Sequence, residues 1–527
     1  MDGTTTAQAG RHEGRDPAVA EADLWRLLER RAGATADATF LVERSGRRSS
    51  FAEVHRRAAA LAAGLARSGV SAGDTVAWEL PTTLEAVELT LALHRLGTTQ
   101  VPIIAIYRDR EVTHCCAETG ARWLVTTAEF RGYDFAAMGA RVAAGLDLTH
   151  LLVEDVVPAD PAELAEHDVD PDEPRWVFYT SGTTAAPRGA RHADRALSSI
   201  AGEMAGALRL GPDDRYALVF PLPHVGGILL LFAGLQTGCC HLLDAAFDPV
   251  ATPAFLAAEG VTHAGTGTPF HLAYLEAQRQ HPAGPLFPRL RCCPGGAAPK
   301  PPDLHARVRA ELGGVGILSS WGLTEAPILT FCRFDDPDDK LAATEGRALP
   351  DVALRAVGAD GGPVAEGLEG ELQVRGGYVM AGYVDATLDA EVLTEDGWLR
   401  TGDLGVIDED GYVTITGRLK DVIIRNGENV SAKEVEDLLY AHPRVAEAAV
   451  FGLPDVRTGE RMCAVVCPTA GADPLTFEEM VEYLRSAGLR PQALPERLEH
   501  LDRLPRNPAG KVTKRVLQDR FGDGATG

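Results

Sequence analysis

The stretch YTSGTTAAPRGARH at residues 179–192 is the segment around which the rest of the chain is arranged. It follows an apolar run at residues 176–179, typical of a short buried strand, and precedes helical spacing at residues 196–210. We therefore expect a loop between a strand and a helix. The loop holds four hydroxyl side chains, two glycines, a proline and two arginines. Inward-facing hydroxyls and backbone N–H groups form a concavity for anions, so this composition favours a polyphosphate site over an ordinary polar surface loop.

The spacing differs from that of the Walker phosphate loop, G-x-x-x-x-G-K-[ST], and the stretch contains no Lys-Ser or Lys-Thr pair. A classical nucleotide triphosphatase is therefore disfavoured. Lysine is scarce in the whole chain, so a lysine within a motif is a candidate functional residue. The lysines are Lys300, Lys340, Lys420, Lys433, Lys511 and Lys514. Of these, Lys511 ends a Pro/Gly-rich stretch at residues 504–511 that predicts an exposed loop.

Length and composition limit the classes of protein. A chain of 527 residues predicts two or more domains, and 45% apolar with 24% charged residues is typical of a soluble globular protein. A net charge of −24 argues against nucleic-acid partners and anionic membranes. The longest apolar run, at residues 228–235, is too short to cross a bilayer, which argues against stable membrane insertion. The choice between a monomer and a homodimer stays open.

The nine cysteines show no CxxC motif and no paired spacing for zinc. We expect reduced thiols that act as small hydrophobic residues, which favours a cytoplasmic location. Residues 1–20 are polar and have no apolar signal core, so we expect a disordered leader.

Helical and strand patterns alternate from residue 24 to about 170 and continue beyond the polar loop, which predicts a mainly parallel sheet covered by helices. The predicted fold is α/β, with a large N-terminal domain at residues 21–417 that includes a small β-rich subdomain at about 342–417. A smaller α+β C-terminal domain follows at residues 422–527. The predicted helices lie at residues 51–65, 84–96, 196–210, 227–235, 432–442 and 476–487. The predicted strands lie at residues 75–80, 101–106, 123–126, 176–179, 216–220, 262–265, 290–293, 316–320, 352–356, 371–375, 413–416, 448–451 and 462–467.

Two further turns are candidates for the same crevice as the polar loop, because ligands collect at the carboxyl ends of strands in open parallel sheets. One is the turn at residues 321–325 and the other is the turn at residues 295–297. Glu325 would supply the carboxylate that the Mg²⁺ of a triphosphate requires, unless it caps a helix or faces solvent. Asp403 follows a tight glycine turn and suits the two hydroxyls of a ribose, with Arg418 as an additional donor, although either could lie in a surface turn.

Together and in this order, these motifs resemble the AMP-forming adenylating superfamily of acyl-CoA synthetases, peptide-synthetase adenylation domains and luciferases. The resemblance covers residues 24–519 and is closest to a free-standing acyl-CoA ligase. The family pattern Y-T-S-G-T-T-G-x-P-K-G is similar to residues 179–189, with Ala185 in place of a glycine and Arg188 in place of the lysine. The further family motifs Y-G-x-T-E, T-G-D, G-R-x-K/D and P-x-x-x-x-G-K are similar to residues 321–325, 401–403, 417–420 and 505–511.

The resemblance implies two steps: a carboxylate attacks the α-phosphate of Mg-ATP to give acyl-AMP and pyrophosphate, and a thiol then displaces AMP. Lys511 would stabilise the first transition state, and Glu325 with Thr184 would hold Mg²⁺ and phosphate. The mobile C-terminal domain would rotate about a hinge at residues 418–421, centred on Lys420, and bring Gly427 to a thiol tunnel. The residues that the resemblance assigns to ATP and coenzyme A are Thr180, Ser181, Gly182, Thr183, Arg188, Gly296, Ala297, Trp321, Gly322, Thr324, Asp403, Arg418 and Gly427.

The acceptor and the acid are inferred from two other segments. Residues 425–430, RNGENV, resemble the G-G-E-N-I segment of free-standing acyl-CoA ligases, which implies coenzyme A as the thiol. Residues 221–227 resemble the segment whose histidine or aromatic side chain gates the acyl pocket, and the apolar helix behind it suggests a medium-chain, alicyclic or aryl acid. The residues assigned to the acid are His224, Gly295 and Gly322, although His224 could be only structural.

Two alternatives remain. The enzyme could pass its acyl group to an amine or a carrier protein. It could instead be a nucleotide-binding regulator without turnover, a reading prompted by Ala185 and Arg188.

Overall fold

The computed structural model of the protein describes residues 23–180, 187–296, 300–301, 303–425, 428–455, 457–506 and 512–522. The leader expected at residues 1–20 lies outside this part of the chain. The α-helices are α1 Leu24–Ala34, α2 Phe51–Arg67, α3 Leu84–Arg95, α4 Asp109–Thr119, α5 Phe135–Leu146, α6 Asp194–Ala207, α7 Val225–Thr237, α8 Ala251–Ala258, α9 Thr268–Arg279, α10 Leu304–Glu311, α11 Asp338–Ala343, α12 Asp389–Val392, α13 Ala432–Tyr440, α14 Phe477–Ser486 and α15 Lys514–Gly522.

The strands before the β-rich region are β1 Thr39–Glu43, β2 Arg48–Ser50, β3 Thr75–Glu79, β4 Thr99–Pro102, β5 Trp123–Thr126, β6 Glu129–Phe130, β7 Tyr133–Asp134, β8 Thr149–Leu152, β9 Pro174–Tyr179, β10 Gly189–Ala193, β11 Arg215–Leu218, β12 Cys240–Leu243, β13 Cys293–Pro294 and β14 Ile317–Leu318. The later strands are β15 Ser320–Leu323, β16 Ala326–Phe331, β17 Arg347–Ala348, β18 Val352–Val357, β19 Gly370–Gly376, β20 Leu399–Ile407, β21 Val413–Arg418, β22 Val422–Arg425, β23 Glu428–Ser431, β24 Val445–Asp455, β25 Gly459–Pro468 and β26 Arg497–His500.

The predicted parallel sheet is confirmed. In the order β10-β9-β4-β3-β5-β8, every pair is parallel except the antiparallel β10–β9 pair. A second sheet has the order β11-β12-β1-β2, and its first two pairs are parallel. Strands β18 to β21 form an antiparallel sheet, and β22 to β26 form the sheet of the C-terminal region.

Local sequence explains several helix boundaries. Ser50 and Glu53 form a reciprocal capping box at the start of α2, in which the Ser50 hydroxyl accepts from the Glu53 N–H at 3.2 Å. Thr476 and Glu479 do the same for α14. Helix α7 is apolar on all sides, which is typical of a buried helix, and its side chains belong to the main core between the two large sheets.

The part of the chain that the structure describes contains no helix both long and apolar enough to span a membrane. All nine cysteines lie within it, and each is a buried free thiol, as the sequence predicted. Burial raises the pKa of these thiols, for example that of Cys240 to about 11.

Four predictions about local structure are wrong. Of the strand expected at residues 290–293, only Cys293 belongs to a strand, β13, and Cys292 forms an isolated bridge. The polar stretch does not lead directly into a helix, because residues 189–193 form β10, which pairs with β9 and turns Ala190 and His192 into the core. Residues 262–265 form no strand, because His263 is the only one of them that forms β-bridges, one to Tyr216 and one to Cys292. The strand expected at residues 316–320 is divided, because the chain leaves its parallel partner β13 after β14 and pairs β15 with β16. As a result, Trp321 lies within a strand, and only Thr324 and Glu325 form the turn.

Candidate active site

The two ends of the polar loop are joined where β9 and β10 meet. The Thr180 N–H donates to the Arg188 carbonyl at 3.0 Å, and the Arg188 N–H donates to the Thr180 hydroxyl at 3.2 Å. The hairpin thus fixes where the loop begins and ends. The predicted site residues that lie outside the described chain are Ser181, Gly182, Thr183, Thr184, Ala297, Gly427 and Lys511.

Arg188 and Glu325 meet through a tyrosine that no sequence motif indicated. The Arg188 guanidinium donates to Glu391 at 2.7 Å and lies 5.8 Å from the centre of the Tyr383 ring. The Tyr383 hydroxyl donates to Glu325 Oε1 at 2.6 Å. Burial raises the pKa of Tyr383 above its ordinary value, and the nearby Glu325 carboxylate raises it further. The structure therefore brings the predicted cation and the predicted carboxylate to one buried tyrosine side chain.

His192 connects β10 to the turn that carries Glu325. Its Nε2–H donates to the Thr324 carbonyl at 2.8 Å, and burial lowers the pKa of His192 to about 4. The ring is therefore neutral at physiological pH. The backbone of Glu325 is fixed as well, because its carbonyl accepts from the Met380 N–H at 2.7 Å. The backbone carbonyls of both turn residues, Thr324 and Glu325, are thus held by hydrogen bonds.

Glycines are required where the 295–296 turn contacts β15. The Gly295 carbonyl accepts from the backbone and hydroxyl of Ser320, at 3.1 and 3.0 Å. Gly296 has φ +146°, and a Cβ there would lie 2.8 Å from the Ser320 hydroxyl oxygen. A Cβ on Gly322 would lie 2.2 Å from the Pro327 carbonyl oxygen. Close approach of neighbouring backbone, and not turn formation alone, explains these glycines.

Trp321, Asp403 and Arg418 form one cluster. The Trp321 Nε1–H donates to Asp403 Oδ2 at 2.8 Å, and Arg418 Nε donates to Oδ1 at 2.7 Å. Asp403 and Arg418 are cross-strand neighbours in β20 and β21. Because Asp403 is 3% exposed, each of its oxygens is held by a donor in nearly dry surroundings. Every carboxylate oxygen has two acceptor sites, so the cluster can still accept hydroxyl groups from a ligand.

His224 stands at the start of α7 and at the wall of a pocket. Its Nδ1 accepts from the Gly226 N–H at 3.1 Å, so it caps the helix. The same side chain lines a small pocket together with Ile103, Tyr107, Phe178, Tyr179 and Thr324. The structure therefore gives His224 the structural role that sequence left open and also places it beside the predicted crevice.

Lys420 lies in the 3₁₀ turn Leu419–Asp421 that joins β21 to β22. Burial lowers the pKa of Lys420, and the charge of Arg418 lowers it further. Beyond the turn, the Ser431 hydroxyl donates to the Thr416 carbonyl at 3.0 Å. The predicted hinge residue is thus next to Arg418 at the connection between the two sheets.

The chain is similar to known proteins along most of its length. The AMP-binding enzyme family model matches residues 28–384, and the AMP-binding enzyme C-terminal domain model matches residues 434–511. Triostin synthetase I of Streptomyces triostinicus is 35% identical over 489 residues, covering 90% of each chain.

A second relative, 3-[(3aS,4S,7aS)-7a-methyl-1,5-dioxo-octahydro-1H-inden-4-yl]propanoyl:CoA ligase of Rhodococcus jostii, is 34% identical, with 90% of this chain and 94% of that protein covered. The crystal structure of ATP-bound MatB from Rhodopseudomonas palustris superposes with a TM-score of 0.85 at 27% identity, covering 95% of this chain and 99% of that one. The predicted α/β fold, with a large N-terminal and a smaller C-terminal domain, is confirmed.

Proposed function

This chain belongs to the AMP-binding enzyme family, and we propose that it uses Mg-ATP to activate a hydrophobic carboxylic acid and then transfers the acyl group to coenzyme A. The products are acyl-CoA, AMP and pyrophosphate. The observation that carries the proposal is a pair of clusters on the β15–β16 hairpin. Trp321 contacts Asp403 with Arg418, and Glu325 contacts Tyr383 with Arg188.

The first cluster suits the nucleoside of ATP. The Asp403 carboxylate would accept hydrogen bonds from both ribose hydroxyls while it keeps those from Trp321 and Arg418. Trp321 takes the place of the family tyrosine beside the adenine, and the close backbone packing at Gly296 and Gly322 fixes the turn and the strand that would border the base. This assignment is supported by the low exposure of Asp403, which keeps water from competing.

The second cluster suits the phosphates. Arg188 would exchange Glu391 for a phosphate oxygen, and Thr180 with the neighbouring Ser181, Gly182 and Thr183 would supply further donors. Glu325 fits Mg²⁺ because a carboxylate oxygen is a hard ligand and the Tyr383 hydroxyl fixes its orientation. Thr184 is the second proposed ligand. Bound Mg²⁺ would neutralise part of the phosphate charge.

In the first step, the carboxylate oxygen of the acid forms a bond to the α-phosphorus, and the bond to pyrophosphate breaks. The Lys511 ammonium would stabilise the negative charge that builds up between the two groups. In the second step, the sulfur of coenzyme A forms a bond to the acyl carbon, AMP leaves, and the thiol proton passes to solvent. A rotation about Lys420 between the steps would withdraw Lys511 and bring Gly427 to the thiol.

A hydrophobic acid is supported by the pocket beside His224. Phe178, Tyr179 and Ile103 give it apolar walls, and α7 behind it is buried and apolar. Gly295 and Gly322 would border the acid at its carboxylate end. The buried free thiols further support a cytoplasmic enzyme, which would act as a monomer or a homodimer.

A panel of medium-chain, alicyclic and aryl acids tests the proposal. Acid-dependent exchange of pyrophosphate into ATP measures the first step, and AMP release with and without coenzyme A measures the second. We expect exchange with at least one acid and multiple-turnover AMP release only when coenzyme A is present. Exchange without a coenzyme A effect, but with AMP release on adding an amine or a carrier protein, would contradict the acceptor. A lack of exchange with every acid would favour the regulator alternative.

The variant Gly427→Leu separates the two steps. If Gly427 lines the passage of the pantetheine arm, a bulky side chain should leave pyrophosphate exchange within a fewfold of wild type. It should lower coenzyme A-dependent AMP release by orders of magnitude, because the thiol cannot reach the acyl carbon. Equal loss of both activities would mean that the substitution damages the fold, and loss of neither would mean that the acceptor enters elsewhere.

A further inference from the structure

A buried cluster of histidines and aspartates joins three segments of the N-terminal domain. Asp23 precedes α1, His94 lies in the last turn of α3, and His167 lies on the segment that leads into β9. Asp23 is 2% exposed and His94 is 3% exposed. No sequence motif indicated this cluster, because its members are far apart along the chain.

The three side chains are close enough to share one ion. One potential ligand atom from each of Asp23, His94 and His167 lies within 4.8 Å of the other two. His94 Nδ1 is buried and has no hydrogen-bond partner within the described part of the chain. Several buried polar atoms of the described chain lack a partner, but His94 is the one of their residues that also lies beside two other potential metal ligands, Asp23 and His167.

The remaining nitrogens have the partners that metal-binding histidines usually have. His94 Nε2 bonds to the Asp194 carboxylate, and the other oxygen of Asp194 accepts from Trp176 Nε1 at 2.5 Å. His167 Nδ1 lies 3.2 Å from the backbone carbonyl of Arg95. A carboxylate or carbonyl on the far nitrogen fixes the ring orientation and directs the other nitrogen to the metal. Here that arrangement leaves His94 Nδ1 and His167 Nε2 on the side of Asp23.

We propose that Asp23, His94 and His167 bind one divalent transition-metal ion, and that Zn²⁺ fits best because its ligands include imidazole and carboxylate. His94 Nδ1, His167 Nε2 and Asp23 Oδ2 supply the bonds, and a water molecule fills the fourth position. His167 Nε2 and Asp23 Oδ2 are 2.8 Å apart and share a hydrogen. The ion takes the place of that hydrogen, which leaves to solvent as a proton.

The site acts as a brace for the hairpin that carries the polar loop. Trp176 lies in β9 and Asp194 begins α6 directly after β10, so one outer partner of the site belongs to the hairpin and the other follows it directly. An ion that binds only the folded chain stabilises it by mass action. The site contributes no group to the proposed reaction, so its occupancy and the activity are separate measurements.

The test uses the full-length protein without an affinity tag, stripped with a chelator and then titrated with ZnCl₂. We expect one Zn²⁺ per chain by mass spectrometry of metals after gel filtration and a higher melting temperature with Zn²⁺. Absence of bound Zn²⁺ together with an unchanged melting temperature would overturn the proposal and leave the cluster as a hydrogen-bonded network.

Three variants locate the ion. His94→Gln keeps a donor near Asp194 but removes the Nδ1 ligand, so stoichiometric Zn²⁺ should be lost. Asp194→Asn keeps all three ligands and should weaken Zn²⁺ binding roughly 10- to 100-fold. This second variant still tests the proposal if His94→Gln does not fold. The matched control is His241→Gln, because His241 is also fully buried, bonds a backbone carbonyl and has an unpartnered Nδ1 within the described chain. Equal Zn²⁺ binding in wild type, His94→Gln and Asp194→Asn would place the ion elsewhere.

Discussion

The ribose end and the phosphate end of the proposed nucleotide site differ in how their charged groups are held. At the ribose end, Asp403 is buried and accepts from Trp321 and Arg418, which both belong to motifs recognised in the sequence. At the phosphate end, the partners of Arg188 and Glu325 are Glu391 and Tyr383, which belong to none. The ribose end is therefore assembled before ATP arrives, whereas Arg188 must change partners to bind phosphate.

Solvent exposure explains why a change of hydrogen-bond partner is feasible for Arg188 at the phosphate end but not for Asp403 at the ribose end. The Arg188 and Glu391 side chains are 29% and 55% exposed, and ion pairs in such surroundings contribute little to stability. The Asp403 side chain is 4% exposed, so removing one of its donors would leave a polar group in dry surroundings. Mutations at the ribose end should therefore affect nucleotide affinity and folding together, and mutations at the phosphate end should affect catalysis and phosphate binding.

The largest effect is expected for Lys511→Ala, which acts at the phosphate end alone. The side chain would stabilise charge only in the transition state, so the rate of pyrophosphate exchange should fall ~10²–10³-fold while ATP binding stays largely intact. Single-turnover kinetics and equilibrium ATP binding measure the two quantities separately. Near-wild-type exchange would remove Lys511 from the mechanism.

At the ribose end, Asp403→Ala should weaken ATP binding. The substitution leaves the Trp321 N–H buried without an acceptor, which should cost about 1–3 kcal/mol of stability. It also removes the acceptor for the ribose hydroxyls, and a lost hydrogen bond to a charged group, at about 1.5–3 kcal/mol, should raise the KM for ATP roughly 10- to 150-fold. The control is Asp408→Ala, which removes an ion pair with Lys340 in the same part of the chain and should leave that KM unchanged. A similar rise of the KM in both variants would mean that the effect comes from the fold of this sheet.

Acid should destabilise the protein through His192, which supports the phosphate end. Its pKa is lowered to about 4 by burial, from 6.5, so the unfolded chain binds a proton more tightly than the native one. Stability is therefore lost as the pH falls below 6.5 and levels off near 4. Between pH 7 and pH 5, His192 should account for a loss of about 2 kcal/mol in the free energy of unfolding.

The variant His192→Gln can keep the hydrogen bond to Thr324 but cannot be protonated. Its free energy of unfolding, measured in urea, should depend less on pH than that of wild type by this amount. His114→Gln, which changes a half-buried histidine near Pro187, serves as the control. If His192→Gln and wild type lose stability in parallel on acidification, another group is responsible.

The sequence predicted those parts of the fold whose cause is local. Helix α7 was expected because its apolar run is continuous, and strand β5 because Trp123–Thr126 consists of aromatic, apolar and β-branched residues. Strand β10 was missed because its five residues lie inside a polar stretch, and only their pairing with β9 makes them a strand. The extent of β15 was missed for the same reason, because only its antiparallel pairing with β16 makes these residues a strand.

The candidate site shows the same difference between contacts that are local in sequence and contacts that are not. Asp403 and Arg418 are close because a short hairpin connects their strands. The sequence motifs at residues 401–403 and 417–420 therefore predicted both. The Tyr383 contact with Glu325 spans 58 residues, and the Glu391 contact with Arg188 spans 203. Neither residue lies in a pattern with a chemical meaning of its own, and their importance arises from the tertiary arrangement. The His94 contact with Asp194, which spans 100 residues, was invisible for the same reason.

The smallest effect is expected for Glu391→Gln, and it tests directly whether Arg188 must change partners. With the carboxylate neutralised, Arg188 no longer has to leave an ion pair to reach a phosphate. Because a pair this exposed contributes about 0.2–1 kcal/mol, the KM for ATP should fall by a factor of at most about five, while the binding of adenosine, which has no phosphate, should not change. The matched control is Glu163→Gln, because Glu163 is as exposed as Glu391 and also pairs with an arginine, Arg67; this variant should alter neither quantity. A higher KM for ATP in Glu391→Gln would show that Glu391 positions Arg188 for phosphate instead of competing with it, and the phosphate end would then be as fully assembled as the ribose end.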